Sequence, residues 1–103
     1  MKINIDASVE KFIQGLEADT IAKTLRTIDL LEKFGNQMGM PHSKKVTKNL
    51  FELRIRGKQE IRIFYCFYEN CICLIHGFIK KSQKTPRKEL QNALNKYNLL
   101  DKI

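Results

Sequence analysis

The chain has 103 residues, 43% of them apolar, and a formal charge of +8. That is one domain, residues 1–103, with one modest core; it excludes a wholly disordered chain. No apolar run approaches the roughly 18 residues that a membrane span needs, and the acids in MKINIDASVEKF interrupt any signal-peptide core, so the expected location is the cytoplasm.

The charge is uneven. Met1 to Pro41 carries five bases and six acids, His42 to Arg62 seven bases and two acids, and Ile63 to Ile103 seven bases and three acids. A near-neutral first part beside a basic remainder points to an anionic partner met by one side of the molecule. Nucleic acid is the first candidate, ahead of an anionic membrane surface.

In chain order, Val9, Phe12, Ile13 and Leu16 stand at i, i+3, i+4 and i+7, one face of a short helix that Asp6 or Ser8 can cap. Ile21, Leu25, Ile28, Leu31 and Phe34 make a longer stripe. Asp19 is its expected cap and Gly35 its left-handed stop. Residues 36–49 read as loop, because Pro41 and the glycines forbid a long regular element.

Leu50 to Arg56 alternates and predicts a strand. Gly57, Lys58 and Gln59 fit a three-residue hairpin loop. Glu60 to Tyr68 is a second strand, Glu69 and Asn70 a two-residue turn, and Cys71 to Phe78 a third strand. These turns put Arg54 opposite Arg62 and Cys66 opposite Cys73. One face then carries Leu53, Ile55, Ile61, Ile63, Tyr65, Ile72, Leu74, His76 and Phe78, where the two helices should lie. The other carries Arg54, Arg56, Glu60, Arg62, Phe64, Cys66, Cys73 and Ile75. A bulge would flip every residue beyond it. Thr85 and Pro86 open a last helix as cap and first residue. Its stripe of Leu90, Ala93, Leu94 and Tyr97 can cover the apolar end of the second face. The fold expected is α+β: two N-terminal helices on a small antiparallel sheet, with a C-terminal helix.

Arg54, Arg56 and Arg62 share a face in this register. Like charges opposite one another are destabilising unless offset. Glu52 and Glu60 offset part, and a phosphate would offset the rest; a solvated basic face is the plainer reading. Lys80, Lys81, Lys84, Arg87 and Lys88 run into a helix N-terminus, where the macrodipole disfavours bases and favours anions. His76 reads as a core histidine, or as a proton-transfer group if the register shifts. The three closely spaced cysteines, Cys66, Cys71 and Cys73, make a poor disulfide framework and fit no closed metal-ligand pattern. No Walker loop or dinucleotide fingerprint is present, so no cofactor is expected. Chemistry on cationic side chains suits RNA, whose 2′-hydroxyl attacks the adjacent phosphate while the protein orients it, neutralises charge and moves protons.

The strings LRIRGKQEIRIFY and LIHGFIKKSQKTPRKEL, the GMP segment at 39–41 and the FELRI strand resemble the RelE/HigB toxin superfamily. The nearest branch is the phage-derived Gp49-like one that includes HigB-type toxins. The resemblance implies a RelE-like fold and the toxin of a bacterial toxin–antitoxin pair, an mRNA endoribonuclease, ribosome-dependent or free, that stops translation. It implies an antitoxin partner, often a HigA-like helix-turn-helix protein. Arg62 and Arg54 match the family's basic strand positions, and Lys80, Lys81 and Lys84 match its lysine motif. The chain departs at Ile61, where the motif usually has tyrosine, and at Ser82, where threonine is usual. On this reading the catalytic candidates are Arg62, Arg54, Lys81 and His76; Arg56, Lys80, Lys84, Arg87 and Lys88 would bind RNA. Alternatives are a non-catalytic RNA-binding module and a protein whose basic patch only docks an antitoxin.

Overall fold

The computed structural model describes residues 1–47 and 49–100. The elements run β1 (Lys2–Ile5), α1 (Ala7–Gln14), α2 (Ala18–Phe34), one 3₁₀ turn (Gly35–Gln37), β2 (Ser43–Lys45), β3 (Phe51–Ile55), β4 (Ile61–Tyr68), β5 (Cys71–Ile79) and α3 (Arg87–Leu100). The strands form one sheet in the order β1-β5-β4-β3-β2. The architecture is α+β and consistent with the RelE-like arrangement. The three expected strands form its antiparallel centre.

Both sheet edges lie outside the sequence reading. β1 adds to β5 in parallel, with Lys2 beside Cys71 and Ile5 beside Leu74, so the sheet is mixed. Four residues with only Ile3 half-buried leave too short an alternation to read. β2 pairs antiparallel with β3 and places Lys44 opposite Glu52. It is a three-residue piece of the segment expected to be loop.

The helix termini follow local chemistry. Asp6 caps α1 by accepting from the Ser8 amide at 3.1 Å. Burial works against the Asp6 carboxylate, but the Ser8 hydrogen bonds and the charge of Lys96 prevail and hold its pKa below the ordinary value. Asp19 is not the cap of α2. It lies in the first turn, and Glu17 holds the cap position without a side-chain bond. Gly35 ends α2 at φ 54°, a conformation that glycine adopts without strain. Thr85 is not the cap of α3 either. Its hydroxyl donates to Glu52 Oε2 at 2.9 Å, and the Pro86 carbonyl accepts the first helical bonds, from Glu89 and Leu90.

α1 and α2 cover the face of Leu53, Ile55, Ile61, Ile63, Tyr65, Ile72 and Leu74. α3 covers the other face, where Leu50, Phe64, Cys66, Cys73, Ile75, Phe78 and Ala93 form a second core. The two hairpin registers are as expected: Arg54 is opposite Arg62, Tyr68 opposite Cys71 and Cys66 opposite Cys73. Glu69 and Asn70 turn the chain at φ 50° and 62°, as a two-residue hairpin with the strand's own twist requires.

The register breaks once. Phe64 pairs with His76 but Tyr65 with Leu74, so Ile75 is an extra residue. His76 and Phe78 therefore leave the helix-covered face assigned from sequence and join Arg62 and Phe64 on the other. There the Phe64 ring stacks on Phe78 and His76, at centroid distances of 5.8 and 6.3 Å. Gly77 takes the place against α1. A Cβ there would stand 2.7 Å from the Phe12 ring, so only glycine lets α1 sit this close.

Candidate functional site

The bulge and β2 together build a row of charge on the α3 side of the sheet. Arg54 and Arg62 are cross-strand neighbours. Arg62 is opposite Phe78, and the Lys80 amide donates to the Glu60 carbonyl at 2.7 Å, which places Lys80 diagonal to Arg62. Lys44 enters from the other side, opposite Glu52. The result is an open depression of about 330 Å³ whose wall carries Lys44, Lys45, Arg54, Lys80 and Lys84, with Glu52 and Thr85 at its base.

Glu52 organises the group. It is 3% exposed. Its Oε1 lies 3.3 Å from Arg54 Nε and 3.4 Å from Arg62 Nε, and its Oε2 accepts from Thr85. The Arg62 contact is an ion pair without hydrogen-bond geometry, and Arg62 Nε has no hydrogen-bond partner. Arg62 Nη1 donates to Glu60 Oε2 and to the Ile61 carbonyl, both at 3.1 Å. One buried carboxylate thus fixes two guanidinium groups. A second, partly exposed one at Glu60 holds the deeper of the two.

Arg54 and Arg62 consequently differ. Arg62 is 2% exposed and lies beneath the depression, while Arg54 is half-buried and forms its wall. Lys80 is the cation that the surroundings perturb. Partial burial and the nearby charges of Arg62 and Arg54 lower its pKa from the ordinary lysine value, against the opposing pull of Glu52 and Glu60.

The structure brings Arg54, Lys80 and Lys84 together above Arg62. Lys81, Arg87 and Lys88 are exposed outside this depression, and Arg56 lines a different groove. His76 lies on the arginine face, as the bulge requires. Its Nε2 is paired with Glu89 Oε1 at 2.8 Å, which ties the first turn of α3 to β5. Lys44 and Lys45 were hidden in the apparent loop. No period in SKKV reveals them, since two lysines stand side by side in a three-residue strand.

Cys66, Cys71 and Cys73 are thiols. Burial raises the pKa of Cys73. Among the described residues, no helix is long and apolar enough to cross a membrane.

A family profile described as phage-derived protein Gp49-like (DUF891) matches residues 11–98. The chain belongs to this family. The Gp49-like match spans α1 to α3 and includes every residue of the charged depression. It places the chain among toxin-like proteins, in a toxin–antitoxin context with an antitoxin as the partner class. A comparison with curated proteins finds no match.

Proposed function

We propose that this Gp49-like chain is the toxin of a toxin–antitoxin pair of the RelE/HigB type, acting in the cytoplasm as an endoribonuclease on mRNA, on the ribosome. Its partner would be a cognate antitoxin, HigA-like and of helix-turn-helix class. The observation that carries the reading is the meeting of Arg54 and the pKa-lowered Lys80 in one open depression, over the buried Glu52–Arg62 pair.

The chemistry follows from those groups. Lys80, once deprotonated, accepts the proton of the RNA 2′-hydroxyl. The 2′-oxygen bonds to phosphorus and the bond from phosphorus to the 5′-oxygen breaks. The products are a 2′,3′-cyclic phosphate and a 5′-hydroxyl, whose proton comes from the Lys84 ammonium. Arg54 holds the non-bridging oxygens, since a guanidinium can bind two of them and stays charged. Arg62 adds its charge from below and keeps Glu52 and Arg54 in place. Proton transfer is assigned to Lys80 rather than Lys81 or His76, because Lys81 lies outside the depression and His76 is engaged by Glu89. The binding roles of Arg87 and Lys88 would be at the periphery of the depression.

The test is inducible expression of wild type, Arg54→Ala and Lys80→Met in a bacterial host, with mapping of mRNA 5′ ends and analysis of the termini. Growth arrest with new 5′-hydroxyl ends in wild type alone is expected. Full cleavage by Lys80→Met, or products with 5′-phosphates, would overturn the mechanism. One observation favours a second reading, RNA binding without cleavage: Glu52 and Glu60 already neutralise Arg62. Arrest without new ends would select it.

A further inference from the structure

A second cationic groove lies across the β2 edge from the depression. It has a volume of about 300 Å³ and runs between α2 and the end of β3. Lys23 and Arg26 stand on its α2 side, Arg54 and Arg56 on its β3 side, and His42 at its mouth. Its floor is apolar, with Leu30 and Ile55 beneath the charges. No carboxylate lines it. Among the described residues, Lys23, Arg26 and Arg56 form no ion pair; Lys23 and Arg26 also line the adjoining hollow, which holds Asp19.

Two details make this more than a solvated basic face. Lys23 lies over Gly57, where a Cβ would stand 2.9 Å from its ammonium nitrogen. Gly57 lines the adjoining hollow, so the Lys23 side chain bridges that hollow and the groove. Arg54 also lines both hollows. A chain of phosphates leaving the depression therefore meets Arg54 on its way into the groove. The exposed imidazole of His42 beside Pro41 offers a face on which an unpaired base can stack.

We propose that this groove is a second RNA-backbone site, in which Lys23, Arg26 and Arg56 hold single-stranded RNA one or more nucleotides away from the bond at Lys80, with a base against His42. The assignment rests on the nuclease reading for its register, but its binding test does not. The ligand class is a single-stranded phosphodiester chain longer than the depression alone can hold. An acidic protein segment would need the same cations but not the stacking face or the continuity through Arg54.

The experiment measures binding of a 2′-O-methyl RNA octamer, which cannot be cleaved, and of a trimer, by fluorescence anisotropy across salt concentrations. Wild type is compared with Lys23→Gln/Arg26→Gln and with a charge-matched control, Lys2→Gln/Lys11→Gln, whose lysines are exposed on β1 and α1. Each lost phosphate contact on a single strand lowers the slope of log K against log salt by about 0.7, so the groove variant should lose about 1.4 on the octamer. It should match wild type on the trimer, and the control should match wild type on both. A groove variant with the wild-type octamer slope overturns the proposal; if Lys80→Met still abolishes cleavage, the nuclease reading survives that loss. A slope loss in a wild-type background that never cleaves RNA keeps the groove and removes the nuclease. Loss of poly-glutamate binding with RNA binding intact would reassign the groove to an acidic protein and overturn the RNA site.

Discussion

Glu52→Gln is the perturbation that best tests how the site is built. Glu52 is buried and faces both Arg54 and Arg62 within 3.4 Å. Removing one partner of a buried ion pair costs about 3–5 kcal/mol, because the other charge stays buried and uncompensated. Two features put this case near 3 kcal/mol on that scale. The glutamine amide oxygen still accepts from Thr85, and Glu60 still bonds Arg62 at 3.1 Å. The Glu60 side chain is 38% exposed, so solvent screens its help. For a domain of this size each kcal/mol moves the melting temperature by roughly 4–8 °C, so a fall of roughly 12–24 °C is expected. Circular dichroism melts at pH 7, with urea titrations to check that the m-value holds, measure it. A loss below about 1 kcal/mol would mean that the pair behaves as an exposed bridge, and would refute the account of Glu52 as the organising charge. The double variant Glu52→Met/Arg62→Met should recover part of the loss, since it removes the deepest charge together with its partner, while Arg54, 12% exposed, still lacks its carboxylate.

Four further outcomes are expected. Lys80→Arg keeps the charge but removes the titrating group; RNA cleavage should fall by about 10²–10⁴-fold, the usual weight of a general base, and the rise of wild-type rate with pH that ends at the lowered Lys80 pKa should disappear. Cleavage by wild type should persist when transition metals are stripped with phenanthroline at a magnesium level that keeps ribosomes intact, because the proposed step uses only side chains and the substrate's own hydroxyl. Tyr65→Phe should cost about 1–3 kcal/mol, since it strands the buried Ser43 hydroxyl, while Tyr65→Phe/Ser43→Ala should be closer to neutral in a double-mutant cycle. Burial raises the Tyr65 pKa despite the Ser43 hydrogen bond. Its contribution is therefore full below the unfolded tyrosine value near 10 and is lost as pH rises through the folded value; the Phe variant should lack that alkaline decline. Gly77→Ala should destabilise by about 1–3 kcal/mol through the Phe12 clash, and Gly77→Ala/Phe12→Leu should recover part of it; an unchanged melt for Gly77→Ala would mean that α1 moves away freely.

Much of the architecture is written locally. The α1 stripe, the Glu69–Asn70 turn and the hairpin at residues 57–59 each depend on residues close in sequence, and turn geometry then sets which residues oppose each other, whereas on α2 Leu25 and Phe34 of the expected stripe are exposed and Thr20, Thr24 and Thr27 are buried beside Ile28 and Leu31. That is why the Arg54–Arg62 pair and the Cys66–Cys73 pair were readable before any coordinates, as was the cover that α3 lays on the second core. The Gp49-like resemblance, carried by whole strings of residues, was likewise visible in the chain itself.

Tertiary structure decided the rest, and each case has a long-range cause. The extra residue at Ile75 goes with Gly77 lying against the Phe12 ring, a contact across 65 positions that no local pattern encodes, and it moves His76 and Phe78 to the arginine face. β1 and β2 are too short to show a period and exist because β5 and β3 offer them open hydrogen-bonding edges. Whether a lysine is ordinary or tuned depends on its neighbours in space. Lys80 and Lys81 are adjacent and identical in sequence, yet only Lys80 lines the depression where Arg54, Arg62 and partial burial press on its charge. The sequence alone determined which charges this protein carries and which strands present them. Folding determined which of them share one open hollow, because electrostatic interaction falls with distance and strengthens with burial, and neither is a property of position along a chain.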